Sequence, residues 1–196
     1  MNKKSTLTLR RIIFIAVMAA IICVVTFFRF PLLGSKVHFA NALCLLGGLM
    51  FGPVGGGLAA GLGSALYDGL FGGYDIIQCL ITFVSKFAMA AVCALIARTA
   101  THRNVNKVRV ALGCVCGALS YVVLYMLKTF IYQRFVYGYP GETVLAAMAS
   151  KLPASLINAV FAIIVAPIIY AAVVPALRKA GLMEPVRENT DPQGSK

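Results

Sequence analysis

"VHFANALCLLGGLMFGPVGGGLAAGLGSALYDGLFG", residues 37–72, is apolar for almost its whole length and is broken once, at Gly52-Pro53. Proline has no N–H to give a helix interior but fits a helix's first turn, where that N–H has no partner anyway. The break therefore predicts two short helices, about 37–51 and 53–71, joined by a turn too tight for any loop. Four-residue spacing of small residues (Gly52/Gly56 and Gly57/Gly61) lets helices approach closely in lipid. Near the end of the second helix stands Asp68, a carboxylate in a chain with only six Asp and Glu among 196 residues.

The rest of the chain has the same character. Hydrophobic residues make up 60%, mean hydropathy is +0.88 and only 12% of residues are charged, which is too little polar surface for a water-soluble domain of this size. An integral membrane protein is the class these values indicate. The net charge of +12 raises the question of nucleic acid, but most of the basic residues flank the apolar runs and none builds a basic face on a soluble fold. No nucleic-acid partner is expected. The first apolar run follows "KKSTLTLRR" without a small-residue cleavage site, so it reads as a first span rather than a cleavable signal peptide.

About 20 apolar residues cross a hydrocarbon core, and shorter runs also occur. Six spans are expected, at about 11–28, 37–51, 53–71, 76–97, 108–131 and 152–177. "YGYPGETVLAAMASK", residues 137–151, is expected to form a loop and a short interfacial helix. Twelve of the eighteen Lys and Arg fall at the N-terminus, in the 98–109 loop and at the C-terminus, whereas the opposite loops hold only Arg29, Lys36 and Arg134. The positive-inside rule then puts both termini in the cytoplasm. The fold expected is all-α and polytopic, one membrane domain over residues 1–180. Residues 181–196 read as a polar, disordered cytoplasmic tail.

Ionisable groups are costly in a bilayer and normally face a cavity or a protein interior. Here they fall in stripes. Tyr121, Tyr125, Lys128 and Tyr132 recur at steps of four, three and four, one face of a helix; Lys151, Ser155 and Asn158 do the same. Gln78, Thr82, Ser85 and Lys86 form another stripe, Ser64 and Asp68 end a fourth, and His38 and Asn41 open the second span. At 1.5 Å per residue, Asp68 lies roughly 5 Å from the outer end of its span, Lys128 roughly 5–10 Å and Lys86 about 15 Å. These positions converge on an outward-facing cavity. Blander readings stand beside this one: lysines that snorkel to the interface, a structural Lys86–Asp68 ion pair, and tyrosines that anchor in the aromatic belt.

Six cysteines all lie in apolar segments without a CxxC pair and read as small buried hydrophobes. No GK[ST] follows the glycines, so a nucleotide-hydrolysing loop is excluded. Two scattered His and six acids offer no catalytic metal cluster. No cofactor is expected. Ala16 and Ala20 repeat the small-residue spacing on the first span.

With its short spans, tight Gly-Pro turn and outward polar pocket, the chain resembles the substrate-binding S components of energy-coupling factor (ECF) transporters. The stretch 37–72 together with "FVSKFAMAAVCALIA", residues 83–97, is similar to the riboflavin-type and related vitamin-uptake members. The resemblance implies a multi-pass protein of a bacterial cell membrane that is not an enzyme. It implies high-affinity capture of a vitamin-like small molecule, riboflavin first, and partnership with a transmembrane coupling subunit and two ATPases. It places the docking face at Ala16 and Ala20, and a cap over the site at about 30–37. The ligand contacts expected are Asn41, Asp68, Gln78, Lys86, Tyr121, Tyr125, Lys128, Lys151 and Asn158. The competing readings are a self-sufficient secondary transporter or channel for a small polar solute, disfavoured by the lack of an inverted repeat, and an intramembrane enzyme, disfavoured by the absence of a histidine well inside a span.

Overall fold

The structure is a computed structural model that describes residues 3–32, 35–98 and 107–180. The helices are α1 (Lys3–Val25), α2 (Ala40–Leu70), α3 (Ile76–Arg98), α4 (Lys107–Ile131) and α5 (Gly141–Lys179), with a π-helical turn at Tyr132–Val136. The expected tail at 181–196 and most of the basic 98–109 loop lie outside the described residues.

Gly52 interrupts α2 with φ 83° and ψ −174°, a left-handed backbone that glycine adopts without a Cβ clash. Cys44 Sγ and Ser64 Oγ are only 3.9 Å apart. Twenty residues of straight helix would separate them by roughly 30 Å. The chain therefore folds back at Gly52, and the two halves of α2 lie against each other. A Cβ at Gly56 would run into the backbone of Gly47 and Gly48, so the reversal depends on glycine at the contact.

Two ends of the bundle can now be told apart. Arg11 donates from Nη2 to Phe51 O at 3.0 Å, which places the start of α1 beside the Gly52 reversal. Gly113 faces Cys93 and Ala97, so the end of α3 and the start of α4 share that end. At the other end are the last turns of α1, α2 and α4 and the first turn of α3. Asp75 caps α3: its Oδ1 accepts from Gln78 N at 2.7 Å and its Oδ2 from Gln78 Nε2 at 3.1 Å.

Between α1 and α2 the chain forms a short antiparallel hairpin, β1 (Arg29–Leu32) with β2 (Ser35–His38), in the register Arg29↔His38 and Leu32↔Ser35. This departs from a purely helical fold and delays the second helix from the expected position 37 to Ala40. Strand pairing satisfies backbone groups that a loop at the membrane surface would leave to solvent. A second departure is the length of α5, which starts at Gly141 rather than near 152. Pro140 opens it, its carbonyl accepting from Val144 N at 3.1 Å, and Glu142 in the first turn complements the helix dipole. Pro153 inside the helix costs one hydrogen bond without ending it.

The core draws on all five helices, with Ile22 of α1, Leu45 of α2, Met89 and Cys93 of α3, Cys114 of α4 and Ala162 of α5 wholly buried. All six cysteines are free thiols, and half of them (Cys44, Cys93, Cys114) are buried. The outer faces carry exposed Ile12, Val17 and Val24 on α1, Leu80 and Val84 on α3, and Val160, Ile164 and Ile168 on α5. Apolar surface on that scale calls for lipid as solvent. Among the described residues four helical stretches, Ala40–Leu70, Ile76–Ala97, Lys107–Val136 and Gly141–Leu177, are long and apolar enough to cross a membrane.

Candidate ligand-binding cavity

A cavity of about 380 Å³ opens at the end of the bundle opposite the Gly52 reversal. Its size falls within the roughly 300–1,000 Å³ usual for small-molecule sites. The stripes read from sequence meet there. Ser64 and Asp68 come from α2, Gln78, Thr82, Ser85 and Lys86 from α3, Tyr121, Tyr125 and Lys128 from α4, and Lys151, Ser155 and Asn158 from α5. Each set shares one helix face because its spacing follows the 3.6-residue turn.

Lys86 is 3% exposed and forms the deep corner. Its ammonium donates to Asn41 Oδ1 and lies 3.7 Å from the centroid of the Tyr121 ring. An ammonium buried in this way needs such partners, since desolvation of an unpaired charge is prohibitive. Among the described residues no ion pair joins it to Asp68; its hydrogen bond goes to Asn41. Asn41, 1% exposed, does not line the cavity; it stands behind Lys86 and holds it. Of the nine expected contacts, it is the one that the structure places outside the lining.

The other walls are ordered too. Tyr121 and Tyr125 stack with centroids 6.1 Å apart and planes inclined by 24°. Lys128 Nζ lies 5.8 Å from the Tyr74 ring centroid, at cation–π range. Asp75 fixes Gln78 through the α3 cap. Ser85 and Thr129 donate their hydroxyls to Ile81 O (2.7 Å) and Tyr125 O (3.0 Å) within their own helices, so they offer a cavity ligand lone pairs rather than protons.

Five lining residues escaped the periodicity argument: Thr26, Tyr74, Thr129, Gln133 and Tyr137. Thr26 and Tyr74 sit just past helix ends, where no stripe is defined. Gln133 follows Tyr132 directly and would be about 100° away on an α-helix. The π-helical turn widens the coil here, with Tyr137 N bonded to Tyr132 O at 3.0 Å, and lets both residues face the cavity. Gln133 Oε1 is buried and accepts no hydrogen bond from any described residue.

Ala16 and Ala20 lie elsewhere, exposed on the outer face of α1 next to Ile13 and Val17, while Met18, Ala19 and Ile22 turn into the core. The side chains of most of the expected cap at 30–37 lie outside the described residues. Among the described residues no group of His, Cys, Asp or Glu is placed to hold a metal ion.

A mainly helical membrane bundle with a polar cavity at one end has the form of a binding subunit rather than of an open pore. Residues 6–175 match the family ECF-type riboflavin transporter, S component, and the chain belongs to that family. It is a transporter component rather than an enzyme. Among solved structures, one described as "Structure and mechanism of the S component of a bacterial ECF transporter" is similar with a TM-score of 0.69 at 20% identity, over 87% of this chain and 99% of that one, which supports the fold. No curated protein matches the chain.

Proposed function

We propose that this chain captures a vitamin-like small molecule in the cavity from outside the cell and passes it inward only within an ECF transporter. The single observation that carries the reading is the position of the cavity. It gathers the buried polar groups at the end of the bundle away from the basic flanks, Arg11, Arg98 and Lys107, which the positive-inside rule assigns to the cytoplasm. The two halves of α2, joined at Gly52, then count as two spans, six in all, with both termini inside.

In this reading Asp68, Gln78, Lys86, Tyr121, Tyr125, Lys128, Lys151 and Asn158 contact the ligand and Asn41 acts through Lys86. Riboflavin is the first candidate because the family bears its name. Ala16 and Ala20 form the docking face for the coupling subunit, since small exposed side chains on α1 permit close helix approach. Two ATPases, bound to the coupling subunit, supply the energy.

The test is direct. The purified chain in detergent should bind its ligand without hydrolysing ATP, and native mass spectrometry should identify the small molecule that copurifies. ATP hydrolysis by the chain alone, or a purified chain that binds no vitamin, would contradict the proposal.

A further inference from the structure

Three ammonium groups line the cavity, Lys86 from α3, Lys128 from α4 and Lys151 from α5, and Asp68 is the only acid among the described lining residues. Lys86 has partners of its own in Asn41 and the Tyr121 ring. Lys128 has a more distant aromatic neighbour, the Tyr74 ring centroid at 5.8 Å. Lys128 and Lys151 line the same cavity from different helices, α4 and α5. The acids that act on Lys128 are Asp68 and Asp75. Asp75 lies outside the lining, and both of its oxygens already accept from Gln78. Asp68 forms no ion pair with any lysine among the described residues, so one acid in the lining stands against three lysines.

Two like charges in a partly desolvated site repel more strongly than in water, because the screening is weaker. An uncharged ligand would leave that repulsion in place and remove water that eases it. An anion between the two ammoniums converts the repulsion into two attractions, and ammonium–phosphate or ammonium–carboxylate hydrogen bonds are the strong kind.

We propose that the ligand carries an anionic group, a carboxylate or a phosphate, that binds between Lys128 and Lys151. This rests on the reading of the cavity as the ligand site and goes beyond it, since neutral riboflavin has no such group.

The experiment titrates the purified full chain in detergent with matched neutral and anionic pairs: riboflavin with riboflavin 5′-phosphate, pyridoxine with pyridoxine 5′-phosphate, and nicotinamide with nicotinate. The anionic member of the pair that binds should be tighter by roughly tenfold or more, as a charge-assisted pair of contacts implies. That preference should vanish in the Lys128→Gln, Lys151→Gln double variant and persist in Lys128→Arg, which keeps the charge and checks that the site still folds. A copurified molecule that is anionic supports the proposal in the same way. Equal or tighter binding of the neutral member, or a neutral copurified vitamin, overturns it while leaving vitamin capture intact. No binding by any member together with no copurified molecule counts against both.

Discussion

Replacing Asn41 with leucine removes a hydrogen-bond acceptor from the buried Lys86 ammonium and leaves the Tyr121 ring beside it. A hydrogen bond to a charged group contributes about 1.5–3 kcal/mol, and the loss is greater when the remaining partner stays buried. Lys86 at 3% exposed cannot recover the bond from bulk water. For a chain of this size roughly 2–4 °C of melting temperature corresponds to 1 kcal/mol, so Asn41→Leu should melt about 3–12 °C lower. Lys86→Met alone strands the Asn41 amide and should cost about 1–3 kcal/mol. The double variant removes both polar partners together and should fall well short of the sum of the two losses. Thermal unfolding of the three variants by circular dichroism in detergent, at one scan rate, closes the cycle. Additive losses, or an Asn41→Leu protein that melts with the parent, would refute the assignment of Asn41 as the group that holds Lys86.

Gly56→Ala places a methyl against the backbone of Gly47 and Gly48 and should destabilise the fold by at least about 1–3 kcal/mol, read as a lower melting temperature; an unchanged value would mean that the two halves of α2 are not so close. Asp68→Asn should weaken ligand binding by roughly 1–3 kcal/mol in isothermal titration with little loss of stability, since no ion pair is broken; unaltered affinity in a well-folded variant removes Asp68 from the site. Ala16→Trp should spare ligand binding yet block uptake by the assembled transporter, and normal uptake would relocate the docking face.

Much of this architecture is written in residue spacing. The Gly52-Pro53 break announces the reversal in α2 because no other pair of adjacent residues both frees the backbone and forbids a continuous helix. Tyr121, Tyr125 and Lys128, and likewise Lys151, Ser155 and Asn158, follow a single helical period and so reach the same cavity. What the spacing leaves hidden depends on tertiary contact or on local departures from that period. Asn41 lies on the right helix, but only its bond to Lys86 distinguishes a supporting group from a lining one. Gln133 faces the cavity because of a π-helical turn that no periodicity marks. The early start of α5 at Gly141 lies in a stretch of mixed polarity, residues 141–151, whose hydropathy marks no membrane span.

Capture by this chain and passage across the membrane should be separable. Proteoliposomes that hold this chain alone, and others that also hold a coupling subunit and two ATPases of an ECF transporter, should be loaded with ATP and given the vitamin that the purified chain binds, in labelled form. The prediction is ligand bound but not accumulated by the chain alone, and accumulation with the full assembly only while ATP is present inside. Gradient-driven accumulation by the chain alone would contradict it and make the protein a self-sufficient carrier.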